Sequence, residues 1–180
     1  LTLGRLELPM QALLVALMER IRRQLPYRVR EEEGIQGPLR TLAEGGSCRD
    51  LAVLMIEAVR VMGFAARFAS GYLHVPPAAD GGGPARVGGG ATHAWVQVYL
   101  PGAGWVDFDP TNAIYGGKDL IRVAIARDPA RVAPVAGSFT GPPGTVSRLE
   151  VEVEVVRLEA PAASLAELDA RRVGAPVSPP

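Results

Sequence analysis

Between Pro9 and Leu25 the apolar positions recur at helical spacing, with Leu14, Leu17, Met18, Ile21 and Leu25 on one face and Glu19, Arg20, Arg22 and Arg23 on the other. The spacing predicts an amphipathic helix closed by Pro26, which packs on a core and carries no chemistry. A short helical turn is expected over Pro38–Glu44. After it, Leu51, Leu54, Met55, Ala58 and Met62 mark another helix, which begins at Cys48 and stops at Gly63. Ser47 reads as its N-cap and Asp50 completes a capping box, so Cys48 takes the first helical position.

Downstream the period shortens to that of strands. Ala66–Val75 has a β-branched and aromatic mix, with Gly71 as a bulge. Residues 76–90 open on two prolines and carry Gly81-Gly82-Gly83 and Gly88-Gly89-Gly90, which reads as a mobile loop within one domain. Thr92–Leu100 alternates cleanly, Pro101-Gly102-Ala103-Gly104 turns the chain, and Trp105–Asp109 returns as the second arm of a hairpin. Ile121–Ala126 and Leu149–Leu158 follow as strands. In the latter, Leu149, Val151, Val153 and Val155 alternate with Glu150, Glu152 and Glu154, leaving one wet face. From Ala160 the composition turns to Ala and Pro, with a short helix expected over Ser164–Arg172 and a disordered end at Pro176–Pro180. The chain thus divides into a core over residues 1–159 and a partly disordered Ala/Pro-rich tail over 160–180.

At 180 residues and 48% hydrophobic content the chain suffices for one globular domain. Its 19 basic and 19 acidic residues balance, which leaves no electrostatic footprint for nucleic acid or an acidic membrane surface. No apolar run reaches the length that crosses a bilayer. A single cysteine excludes an internal disulfide, and with two histidines it cannot complete a four-ligand structural zinc site. A reducing compartment, and so a cytoplasmic location, is the expectation. The opening on Leu1 rather than Met reads as a piece of a longer chain, whose missing part would hold any signal or anchor.

Chemistry concentrates in three places. Cys48, between two glycines and an apolar helix, is placed where unsatisfied N–H groups and the macrodipole favour thiolate over thiol. Taken alone, a lone cysteine is more often a small buried hydrophobe. In the hairpin, His93, Trp95, Gln97 and Tyr99 share one face, opposite Ala94, Val96, Val98 and Leu100. A turn centred near Gly102 sets Tyr99 against Trp105 and Trp95 against Asp109, which makes His93 and Asp109 diagonal neighbours about 7–8 Å apart. A carboxylate at that distance can hold the imidazole in one tautomer, leaving the other nitrogen to exchange a proton with a thiol. The helix bearing Cys48 is expected to pack over that same face. Asp107 has the parity of Asp109 but lies farther from His93. His74 lacks an obvious carboxylate partner and reads as structural or as rim. Trp95 and Trp105 read as core or cleft wall, with rim contacts to substrate as their candidate role.

The blocks Gly45-Gly46-Ser47-Cys48-Arg49-Asp50-Leu51, Thr92-His93-Ala94-Trp95-Val96 and Gly104-Trp105-Val106-Asp107-Phe108-Asp109-Pro110-Thr111-Asn112, in this order, resemble the core of the bacterial transglutaminase-like family, often described as candidate cysteine proteases. The resemblance runs from about Pro9 to Leu158 and takes in Gly71-Tyr72 and Ile121-Arg122-Val123-Ala124. It implies a papain-like α+β fold, with N-terminal helices, the nucleophile helix packed on an antiparallel sheet, and a Cys48–His93–Asp109 triad. Arg49 stands where many bacterial relatives would carry Gln, and a glycine-rich stretch precedes His93; both bear on what binds.

The activity implied is acyl transfer on amide bonds of a peptide or protein, through a thioester on Cys48, with no cofactor and no metal. Water would complete hydrolysis or deamidation, and an amine would complete transamidation. The backbone N–H of Cys48 is a candidate oxyanion donor. Residues 76–90 are a candidate lid beside His93. The rival reading is a non-catalytic module that keeps the fold and binds a peptide or protein in the cleft.

Overall fold

Three helices come first in the chain and an antiparallel sheet follows. The computed structural model describes residues 9–30, 32–75, 86–133, 137–138, 140–146 and 151–155. Met10–Gln24 forms α1, Pro38–Glu44 α2 and Cys48–Val61 α3. The strands are β1 (Ala66–Leu73), β2 (Thr92–Leu100), β3 (Gly104–Asp109), β4 (Ile114–Tyr115) and β5 (Leu120–Ala126), and a 3-10 turn follows at Pro129–Val132. They form one sheet in the order β4-β3-β2-β1-β5, with every pairing antiparallel. This is the expected α+β arrangement. The hairpin register is also the expected one, with Tyr99 opposite Trp105 and Gln97 opposite Asp107. The pairing of β1 with β5 slips between Ser70 and Gly71, at the anticipated bulge.

The main core joins Leu14, Met18 and Ile21 of α1 to Leu51, Met55, Ile56 and Val59 of α3, and to Ala94, Val96, Val98, Leu100 and Phe108 of the sheet. Two expectations change here. The buried stripe of α3 is Leu51, Ala52, Met55, Ile56 and Val59, while Met62 is exposed. α3 is apolar over much of its circumference, so spacing alone could not fix which side faces inward. The helix also packs on the Ala94–Val96–Val98 face rather than on the face that carries His93, because that is where the small and branched apolar side chains lie.

On the opposite face Ala69, Leu73, Trp95 and Leu120 form a second cluster. The strand expected over Leu149–Leu158 is not seen where its residues are described: Val151–Val155 makes no ladder pairing. Alternation makes a segment suitable for a sheet, but a strand needs an edge to bond to. The remainder of that segment, residues 76–85 of the glycine-rich stretch, and the tail over 160–180 with its Ser164–Arg172 helix lie outside the described residues.

Candidate active site

The start of α3 is held by one carboxylate. Asp50 Oδ2 accepts from the Ser47 N–H at 2.9 Å and the Ser47 hydroxyl at 2.7 Å, which closes the capping box. Its other oxygen accepts from Arg30 Nη1 at 2.7 Å and from the Gln36 N–H at 2.8 Å. Burial pushes this carboxyl up, but the hydrogen bonds from Ser47, Gln36 and Arg30 outweigh it and hold the group below the usual carboxylate range. The glycines before it are sterically required. Gly45 has φ +77°, and a Cβ there would come within 2.1 Å of the Pro26 carbonyl oxygen. This close approach lets residues 26–28 bond alongside Gly46, through Gly46 N–H to the Pro26 oxygen and Arg28 N–H to the Gly46 oxygen. Cys48, half-buried, is thereby fixed at the first helical position. Burial and then the Cys48 charge push the Tyr27 phenol up, and the Arg49 charge opposes them. Arg49 itself donates to the backbone carbonyls of Glu32 and Arg30.

His93 is buried, and its Nε2 lies 2.8 Å from Asp109 Oδ2, itself buried. Asp109 also accepts from the Thr111 N–H at 2.8 Å, the Asn112 N–H at 3.3 Å and the Asn112 amide at 2.8 Å. Burial pushes the imidazole down, yet the hydrogen bond to Asp109, contact with the Cys48 side chain and the charges of both raise it to about 10. The second ring nitrogen, Nδ1, is buried and makes no hydrogen bond among the described residues. Gly88 lies close to it, where a Cβ would stand 2.7 Å from Nδ1, and the charge of Cys48 acts on the ring.

Arg86–Gly90, the described end of the glycine-rich stretch, is fastened rather than loose. The Val87 N–H donates to Asn112 Oδ1 at 2.8 Å, and Asn112 Nδ2 donates back to the Val87 carbonyl at 3.0 Å. Arg86 Nη1 reaches Asp119 Oδ2 at 3.0 Å and the His74 carbonyl at 2.8 Å. His74 therefore does have a carboxylate neighbour, with Nδ1 3.4 Å from Asp119 Oδ1. Sequence reading missed it because 45 positions separate the two. It also missed Asn112, whose local signal was a side-chain amide just after an Asp-Pro turn.

The other candidates fall elsewhere. Asp107 accepts from Trp95 Nε1 at 2.7 Å and Gln97 Nε2 at 2.8 Å, so it braces the second cluster and does not serve His93. Trp95 is fully buried and stacks on His93 at 6.1 Å between ring centroids, which makes it a support for the ring. Trp105 is 38% exposed but pairs with Tyr99, roughly 20 Å along β2 from His93 at the usual strand rise. Among the described residues no cluster of His, Cys, Asp or Glu is suited to hold a metal ion, and no helix is long and apolar enough to cross a membrane.

A thiol at a helix start, a buried imidazole and a carboxylate, carried by helices on one antiparallel sheet, define the class of cysteine-centred papain-like folds. The sequence profile of the Transglutaminase-like superfamily matches residues 5–110, more than half of the chain, and the protein belongs to that superfamily. An uncharacterised protein of Mycobacterium leprae is 38% identical over 113 residues, covering 63% of this chain and 38% of the relative. One from Mycobacterium tuberculosis is 37% identical over 123 residues, covering 66% and 38%. The chain thus spans well under half the length of these relatives. Among solved structures, a candidate cysteine protease from Cytophaga hutchinsonii is similar, with a TM-score of 0.52 and 27% identity over 67% of this chain and 37% of the other.

Proposed function

We propose that the protein performs cysteine-dependent acyl transfer on amide bonds of a peptide or protein, with Cys48 as nucleophile, His93 as acid–base and Asp109 as its orienting carboxylate. The observation that carries this reading is the buried His93 Nε2–Asp109 Oδ2 hydrogen bond of 2.8 Å, which leaves Nδ1 without a partner among the described residues while the charge of Cys48 acts on the ring. An imidazolium beside the sulfur favours the thiolate. The thiolate attacks the amide carbonyl, its C–S bond forms as the tetrahedral oxygen takes up charge, and the Cys48 backbone N–H at the helix start faces that charge. Collapse expels the amine, which takes its proton from His93 Nδ1 and leaves a thioester. Neutral His93 then accepts a proton from water or from an amine as either attacks the thioester, and the thiolate–imidazolium pair returns.

Two measurements test this. Alkylation of Cys48 by iodoacetamide is expected to be fast already near pH ~6, with His93→Ala moving the profile upward. Labelling confined to pH above ~8 and indifferent to that substitution would favour a non-catalytic binding module. Mass spectrometry of a glutamine-containing peptide, with and without a small primary amine, then reads cleavage, deamidation or transamidation directly. An unchanged peptide under all conditions, with a slow thiol, overturns the proposal.

A further inference from the structure

A second site lies at the opposite end of β2. Arg60 from the last turn of α3, the connection Gly63–Ala65, Arg67 of β1, Trp105 of β3 and Arg127 beyond β5 line a shallow, solvent-open hollow of about 640 Å³. That is within the range of small-ligand sites, about 300–1,000 Å³. Among the described residues that line it, three carry guanidinium groups and none a carboxylate. Arg60 is committed to structure, donating to the Ala66 and Arg127 carbonyls and to Glu57. Arg67 and Arg127 have no ion-pair partner among the described residues.

Arg67 is the informative one. Its Nε donates to Gln97 Oε1 at 2.9 Å, and its guanidinium carbon lies over the Trp105 ring, 3.9 Å from the centroid. Both contacts fix the guanidinium at the wall of the hollow, and its terminal nitrogens make no hydrogen bond or ion pair among the described residues. Gln97 in turn donates to Asp107 Oδ1, so Asp107 acts on Arg67 through this bridge and forms no direct ion pair with it. Burial and then the charge of Arg122 push Arg67 down, with Asp107 opposing. A half-buried, pre-oriented cation with no direct ion pair among the described residues carries a desolvation cost that a bound anion offsets. The planar fork matches a carboxylate or phosphate group, and Phe64 and Trp105 supply an apolar wall for the body of the molecule.

We propose that this hollow binds a small oxyanion, a carboxylate or phosphate on a compact organic body, gripped by Arg67 and Arg127 against Trp105. The site is independent of the thiol chemistry. Its test is titration with inorganic phosphate and with citrate at constant ionic strength, followed by calorimetry and by Trp105 fluorescence, with Trp105→Phe to identify the signal. Saturable binding of at least one anion below about 10 mM is expected. Arg67→Gln and Arg127→Gln should each weaken it by about tenfold or more, and Arg23→Gln, on the far helix, should leave it unchanged. Preference for phosphate over citrate, or the reverse, assigns the ligand's anionic group. Arg127 is exposed, so its variant keeps the test available if Arg67→Gln folds poorly. No saturable binding of either anion, or binding undiminished in Arg127→Gln, overturns the proposal.

Discussion

Replacing Asp109 with Asn removes one charge and almost no volume, yet the geometry predicts a large effect. Asp109 Oδ2 faces His93 Nε2 and the Asn112 amide, while Oδ1 faces the N–H groups of Thr111 and Asn112. An asparagine must turn its NH₂ toward one of these pairs, so donors meet a donor in either orientation. The imidazolium also loses a counter-ion. Holding it to about 10 instead of 6.5 corresponds to roughly 5 kcal/mol, shared between Asp109 and Cys48. Losing even ~1.4 kcal/mol of it with Asp109 corresponds to about tenfold in rate. The sign is fixed by the raised folded value: the interaction is fully present below pH 6.5 and fades as pH climbs through about 10. The assay is the pH profile of Cys48 alkylation. Asp109→Asn should label more than about tenfold slower than wild type near pH ~6 and converge with it near pH ~10. A folded variant, checked by circular dichroism and melting, that keeps the wild-type profile would refute the reasoning.

Gly88→Ala should slow Cys48 alkylation more than it lowers stability. Its Cβ would stand 2.7 Å from His93 Nδ1 at φ +95°, a cost of about 1–2 kcal/mol concentrated at the ring, and an unaltered alkylation rate would contradict it. Asn112→Ala removes both bonds to Val87 and one to Asp109, so limited proteolysis near Gly88–Gly90 should accelerate several-fold, and unchanged cleavage would show that the segment is held by other means. Asp50→Asn should cost on the order of 2 kcal/mol in urea unfolding at neutral pH, through the donors at Ser47 and Gln36 that it leaves poorly paired. Because the Asp50 carboxyl sits below its ordinary 3.8, that difference is full above this value and shrinks as pH falls through the lowered one. A gap that stays constant down to pH ~2 would count against it.

The helix starts, the hairpin register and the bulge were legible because each rests on local chemistry: the Ser47–Asp50 box, the Gly102 turn and Gly71. Register alone carried the pairing of His93 with Asp109 across the hairpin. What escaped depends on distant partners. The bond from His74 to Asp119, the clasp of Asn112 on Val87 and the pull of Arg30 and Gln36 on Asp50 join segments that no period connects. The side of the sheet chosen by α3 was misjudged for a related reason: the alternation in β2 defines two faces but does not say which of them a helix will cover. Asp107 and Asp109 share parity, and only the positions of Trp95, Gln97 and His93 divide their duties.

The sulfur and the imidazole rest on separate foundations. Cys48 is tied to Pro26, Arg28, Arg30 and Gln36 through Asp50 and Gly46, and His93 to the hairpin through Asp109. Between those foundations lies the oily seam where Leu51, Met55 and Val59 press on Val96 and Val98. That seam works as a spacer gauge, so thinning it by a methyl or two would detune thiol reactivity from a distance, with every polar contact of the reaction centre still intact.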